Sequence, residues 1–158
     1  MKVSVIIMGA KGRMGSTLAR LALESDDFTL CGVVERQEFS QGLEILGCPV
    51  AHDVEELLTQ YPGAVVIDFT APEVSLSTAR QAKNTGNPVV IGTTGLTAGQ
   101  LEELNELAIA VPIFWSPNMS IGVNALVRIL PQLEQILGQA YDLEITEIHH
   151  HHKKDAPS

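Results

Sequence analysis

Basic residues are scarce in this chain. Lysine and arginine together number 10 against 19 aspartates and glutamates, and the net charge is −9. A surface of that sign repels a phosphate backbone, which argues against nucleic-acid binding as the main business. Cysteine is scarcer still, with only Cys31 and Cys48. Their spacing does not suit a metal pair, and two thiols make no disulfide framework. A reducing cytoplasm is therefore the expected home. Long apolar runs are missing too. None approaches the roughly 18 residues that a spanning helix needs, and no membrane association is expected. The opening Met1-Lys2-Val3-Ser4 leads straight into a strand, unlike a signal peptide. Low-complexity tracts and sequence repeats are absent. What remains is 45% apolar, enough for a core, in 158 residues. That length fits one domain, or one domain and a piece of a second.

The most informative stretch is Gly9-Ala10-Lys11-Gly12-Arg13-Met14-Gly15. It follows the apolar run Val3-Ser4-Val5-Ile6-Ile7-Met8, which reads as a buried strand. It precedes residues 16–24, where Leu18, Leu21, Ala22 and Leu23 recur at helical spacing. Strand, glycine turn and helix form the context of a dinucleotide site. Glycines let the backbone bend tightly and let a pyrophosphate reach main-chain N–H groups. The helix start adds unpaired donors and the positive end of its dipole. Ala10 stands where G-x-G-x-x-G requires glycine, leaving a G-x-x-G-x-x-G variant. Such a turn also occurs without a ligand. A second apolar strand, residues 29–34, ends in Glu35, about 20 residues past the glycines, where an acid reaches a ribose hydroxyl pair. The alternative for Glu35 is a solvated charge at a strand end. Arg36 follows and could receive a 2′-phosphate, so the pair is compatible with NADH and NADPH.

Further along, residues 36–47 read as a loop and Cys48-Pro49-Val50 as a short strand. Asp53 can cap a helix over 54–60. Residues 64–69 form an apolar strand of the kind covered on both faces. Pro72 opens a helix that runs to Thr85 and ends at Gly86. Residues 88–91 are a strand that leads into Gly92-Thr93-Thr94-Gly95. Thr97 with Gln100 is a capping box for a helix over 98–109. Residues 111–115 are a strand, followed by the break Ser116-Pro117-Asn118-Met119-Ser120. A long apolar helix over 121–137 carries Pro131, a kink position. Residues 141–148 alternate polar and apolar, as a half-wet strand does. Repeated strand–helix alternation predicts an α/β fold, a doubly wound parallel sheet of the Rossmann type. Its strand ends would gather the glycine turn, Asp68-Phe69-Thr70, Gly92-Thr93-Thr94-Gly95 and Ser116-Pro117-Asn118-Met119 at one rim. A domain boundary is expected near Ser120, giving 1–120 and 121–158.

The chain closes on Glu147-Ile148-His149-His150-His151-His152-Lys153-Lys154-Asp155-Ala156-Pro157-Ser158. Taken alone, this run admits a tag remnant, a metal site, a solvated loop, or a proton-transfer and anion-binding site. Contiguous histidines in an extended segment point to alternate sides, and no carboxylate or thiol cluster accompanies them, so no metal is assigned. Imidazole changes charge near neutral pH, and lysine supplies a donor for carboxylates.

In this order, the glycine turn, Glu35-Arg36, Asp68-Phe69-Thr70, Gly92-Thr93-Thr94-Gly95, Asn118-x-Ser120-x-Gly122-Val123-Asn124 and the terminal His149-His150-x-His152-Lys153-x-Asp155-Ala156-Pro157-Ser158 resemble the dihydrodipicolinate reductase family over the whole chain. The resemblance implies a reductase of the diaminopimelate route to lysine. Such an enzyme moves hydride from NADH or NADPH to a small cyclic unsaturated dicarboxylate, 4-hydroxy-tetrahydrodipicolinate. It implies that Gly9, Ala10, Lys11, Gly12, Arg13 and Met14 hold the pyrophosphate. Glu35 would take the ribose and Arg36 the 2′-phosphate. Gly92, Thr93 and Thr94 would line the nicotinamide end, with Ser116, Pro117, Asn118 and Met119 closing over it. His149 would be the proton donor and acceptor, Lys153 the second proton donor, and His150 a substrate-carboxylate contact. Residues 121–158 would begin an α+β substrate and oligomerisation domain.

His151 stands where the family motif usually has arginine, and Lys154 where it often has an apolar residue. Neither carries an assigned role. Family chains also continue, first with Gly-Thr, so 1–158 alone is expected to bind cofactor at best, with little turnover. The full-length chain would be a homotetramer. Two other readings use the same sheet: a non-enzymatic NAD(P)H-binding module, and a different dehydrogenase acting on a semialdehyde. The first has no need of His149 and Lys153. The second commonly needs a catalytic cysteine or lysine in its second domain, and Cys31 and Cys48 lie too early.

Overall fold

The computed structural model describes residues 2–146 and 148. They fall into two compact units, Met1–Met119 and Ser120–Ser158.

The first unit is built on short β-branched runs, the residues that fit a pleated, covered surface. Six strands result: β1 (Val3–Met8), β2 (Phe28–Val34), β3 (Val50–Ala51), β4 (Val65–Asp68), β5 (Val89–Ile91) and β6 (Ile113–Trp115). All pair in parallel, in the order β3-β2-β1-β4-β5-β6. The strand order reverses between β1 and β4, and ligands of such sheets sit outside the carboxyl ends at that reversal.

Four helices connect the strands: α1 (Arg13–Glu24), α2 (Val54–Gln60), α3 (Pro72–Thr85) and α4 (Ala98–Leu107). Their ends follow local chemistry. Asp53 accepts from the Glu55 N–H and caps α2. Pro72 opens α3, and Gly86 ends it in the left-handed conformation (φ 76°). Thr97 and Gln100 form a reciprocal capping box on α4. Residues 36–47, expected as loop, contain two short 3-10 helices, Gln37–Phe39 and Leu43–Leu46.

Two core clusters lie on the two faces of the sheet, as the alternation of β1 requires: Ile6 and Met8 join one, Val5 and Ile7 the other. The first holds Leu57 and Leu58 of α2, Leu76 and Ala79 of α3, and Leu104 and Leu107 of α4. The second holds Ala19 and Ala22 of α1 and Leu43. Helix coverage is therefore uneven, and one expectation is corrected. In β4, Val66 and Asp68 are buried while Val65 and Ile67 are only half-buried. Helices α2, α3 and α4 share one face, whereas the α1 face is covered mainly over β1 and β2.

A second correction concerns α1. It begins at Arg13, not Ser16, and its buried residues are Gly15, Ala19 and Ala22. Leu21 and Leu23 are about half exposed, at 48% and 51%. Small side chains let this helix approach the sheet at the glycine turn, which leaves Leu21 and Leu23 outside while Leu18 packs partly against the second core cluster.

In the second unit, α5 (Ile121–Leu137) is capped by Ser120, which accepts from the Val123 N–H. Pro131 lies inside it. A strand is expected over 141–148; among its described residues, 141–146 and 148, none is present. An alternating segment becomes a strand only when a neighbour completes its ladder.

Candidate functional site

The carboxyl rim of the sheet collects the residues that carry chemistry. After β1 the chain turns at Gly9, whose φ is +64°. Its N–H and that of Ala10 both donate to the Val34 carbonyl, at 2.8 and 3.3 Å. The turn is therefore strapped to the end of β2. The Gly12 N–H donates back to the Gly9 carbonyl at 2.9 Å.

Close packing dictates the glycines. A Cβ at Gly15 would lie 2.0 Å from the Gly9 oxygen, and one at Gly9 would lie 2.8 Å from the Thr70 methyl. Ala10, by contrast, is buried among Val5, Ile7 and Ala19. Its methyl belongs to the core, so the departure from G-x-G-x-x-G leaves the outer face of the turn unobstructed. Lys11, Gly12, Arg13 and Met14 are exposed. The first-turn N–H groups of α1 have no acceptor within the helix, by the geometry of any α-helix. The turn thus offers donors and a helix dipole to an anion.

Glu35 is half-buried at the end of β2. Its Oε2 accepts from the Lys11 N–H and its Oε1 from the Arg36 N–H, both at 2.9 Å. Its own N–H donates to the Ala51 carbonyl, and its carbonyl meets His52 Nδ1 at 3.0 Å. The carboxylate is thereby fixed against the glycine turn. A carboxylate has about four acceptor sites, so two backbone bonds leave room for a diol. Arg36 is exposed, lies 4.6 Å from the Phe39 ring centroid and pairs with Glu38 at 3.6 Å.

The other side of the rim is polar and buried. Asp68 ends β4 with no exposure. Its Oδ1 accepts from the Thr70 N–H at 2.8 Å and the Thr70 hydroxyl at 2.6 Å. Burial pushes the carboxyl above the ordinary aspartate range, against the lowering effect of Thr70 and the nearby Ser75 and Thr78 hydroxyls. Neither of the latter reaches full hydrogen-bond geometry with Oδ2, which has no partner. Next to Gly92, space is taken by the Phe69 ring: a Cβ there would lie 1.9 Å from Cε1. Thr93 is buried, with its hydroxyl 2.7 Å from the Ser75 hydroxyl. Its carbonyl accepts from Trp115 Nε1 at 3.1 Å. Thr94 is exposed. Beyond β6, the Ser116 N–H donates to the Ile91 carbonyl and the Ser116 hydroxyl to the Asn118 carbonyl. Pro117, Asn118 and Met119 are exposed.

The residues expected from the sequence between Gly9 and Met119 thus lie on the loops that follow β1, β2, β5 and β6, with Arg13 and Met14 in the first turn of α1. His149, His150 and Lys153 lie outside the described residues. Sequence reasoning marked Asp68 as part of an unusual strand end but missed Ser75, Thr78 and Trp115. The available signal was Ser75 and Thr78, three apart on the inward side of α3 among Leu76, Ala79 and Ala82. A groove of about 350 Å³ between α4 and β6, lined by Leu101, Leu104, Ile113 and Phe114 among others, has no titratable side chain. It lacks the chemistry of the rim. Among the described residues no cluster of histidine, cysteine, aspartate and glutamate could hold a metal, and no helix is long and apolar enough to cross a membrane.

Residues 3–119 match the family model described as dihydrodipicolinate reductase, N-terminus, and residues 122–158 the corresponding C-terminus model. The 4-hydroxy-tetrahydrodipicolinate reductase of Oleidesulfovibrio alaskensis is 55% identical over 158 residues, all of this chain and 61% of its own length. That of Lawsonia intracellularis is 47% identical with the same coverage. The chain therefore spans about three fifths of these relatives. Among solved structures, a dipicolinate-bound dihydrodipicolinate reductase from a Paenisporosarcina species is similar at 28% identity and a TM-score of 0.78, over all of this chain and 62% of that one. A myo-inositol 2-dehydrogenase from Lactobacillus plantarum shares the fold at 13% identity and a TM-score of 0.65, over 84% of this chain and 42% of that one.

Proposed function

Because this chain belongs to the dihydrodipicolinate reductase family, we propose that it carries the nucleotide-binding part of an NAD(P)H-dependent oxidoreductase. The reaction is reduction of 4-hydroxy-tetrahydrodipicolinate to tetrahydrodipicolinate, in the diaminopimelate route to lysine. The observation that carries the reading is the exposed glycine turn joined to Glu35 at the sheet's reversal point.

The residues present fit a dinucleotide. Positions 9 and 15 exclude a side chain, while Lys11, Gly12, Arg13 and Met14 are exposed. The N–H groups at the start of α1 would hold the pyrophosphate and Glu35 the ribose. Arg36, beside Glu35, is the cation suited to a 2′-phosphate. Gly92, Thr93 and Thr94 would border the nicotinamide end, with Ser116, Pro117, Asn118 and Met119 beside them. The bound dinucleotide supplies the hydride. Loss of the 4-hydroxyl as water would leave a conjugated imine, and hydride addition to it would put negative charge on the ring, which a nearby acid must quench. The imidazole of His149 and the Nζ of Lys153 are assigned those protons, and His150 a substrate carboxylate. Residues 1–120 are assigned to dinucleotide binding, and 121–158 to the start of the substrate and tetramerisation domain. The setting is cytoplasmic.

The test follows nicotinamide absorbance with fresh substrate, on a full-length polypeptide carrying these residues. Turnover that falls by about a hundredfold or more in His149→Ala is expected for loss of a general acid. Absence of oxidation in the parent, or full activity in that variant, contradicts the assignment.

A further inference from the structure

Thr93 does not present its side chain to the rim. It is buried, with its hydroxyl on Ser75 and its carbonyl on Trp115. We infer that Ser75, on α3, is a positioning residue for the nicotinamide end of the site, acting by fixing Thr93 and so the course of the chain at residues 92–94. The inference rests on the dinucleotide reading above and goes beyond it to a residue that touches no cofactor.

Three observations carry it. Ser75 has no exposure and sits on the inner side of a helix otherwise faced with Leu76, Ala79 and Ala82. A buried hydroxyl in such a place is unfavourable unless it is bonded, and its partner is Thr93 at 2.7 Å. Trp115 holds the same residue from β6 through its indole N–H. With both polar ends of Thr93 engaged inward, Thr94 is left exposed at the rim. Asp68 lies near this pair, at the end of β4. If Thr93 donates to Ser75, the Ser75 proton is free to turn toward Asp68 Oδ2, the buried oxygen without a partner. The same carboxyl holds Thr70 through its other oxygen.

The experiment compares NADH with ADP-ribose, which lacks the nicotinamide, by calorimetry on the 158-residue chain and its Ser75→Ala variant. Losing one positioning hydrogen bond is worth about fivefold in affinity. The expected result is NADH binding weakened by about that factor, ADP-ribose binding unchanged, and a shift in emission of Trp115, the single tryptophan. Equal weakening of both ligands, or of neither, overturns the inference. Should Ser75→Ala not fold, Thr93→Val removes the same hydroxyl pair from the other side and must give the same selective loss. If the parent chain binds neither ligand, the dinucleotide reading itself fails and the inference falls with it. Binding of both by the parent separates the two cases.

Discussion

Asp68 is the one charged residue type buried without exposure among the described residues, and its protonation links the site to stability. Burial raises its carboxyl above the ordinary range. The folded chain therefore holds that proton more tightly than the unfolded chain does. The stabilising contribution is complete below the unfolded value and is lost as pH rises toward the folded one. Asp68→Asn keeps an acceptor for Thr70 but cannot ionise. Stability of the parent relative to this variant should be greatest in acid and decline as the pH is raised, in urea titrations across that range. A pH-independent difference, or one of opposite slope, would contradict the burial argument. Two glycines give a paired test at the same scale. In Gly15→Ala the new methyl meets the Gly9 backbone, which is not the flexible end of a side chain. A loss of about 3 kcal/mol, or failure to fold, is expected. Gly99, inside α4, has nothing within 4 Å of an added Cβ. Gly99→Ala should be neutral or stabilising by up to about 1 kcal/mol. Equal effects at the two positions would contradict the packing described at the turn.

Elements with their own local signals were legible in the sequence. The capping box of α4, the Asp53 cap of α2 and the Pro72–Gly86 bracket of α3 depend on residues a few positions apart, and all are present. Thr97→Ala should therefore cost about 1 kcal/mol in urea unfolding, and a change within a few tenths would mean that the box is idle. What was not legible depends on distant partners. The inward face of α1 is set by how near the sheet lies, so Ala19 and Ala22 face it while Leu21 and Leu23 do not. Alternation over 141–148 is a real pattern without a ladder to join over 141–146. The uneven burial of β4 has the same origin: apolar letters report what a strand can bury, and the arrangement of helices decides what it does bury.

At the scale of the whole molecule, parallel topology did most of the functional reading. Once every strand runs the same way, the ends of β1, β2, β4, β5 and β6 must share a rim, and their loops hold the candidate residues. The glycine turn and Glu35 could be found from spacing alone. The Ser75–Thr93 contact joins residues 18 apart in sequence and shows no motif. The histidine segment is identified by its residues and not by geometry. The claim on which all else depends is that a dinucleotide lies along this rim from Glu35 to Thr94. Backbone amide chemical shifts of the labelled chain, followed during NADH titration, test it directly. Perturbations should concentrate at Gly9, Lys11, Gly12, Arg13, Met14, Glu35, Gly92 and Thr94. Shifts confined to the amino ends of the strands or to the α4–β6 groove, with those eight amides unmoved at saturation, would contradict it.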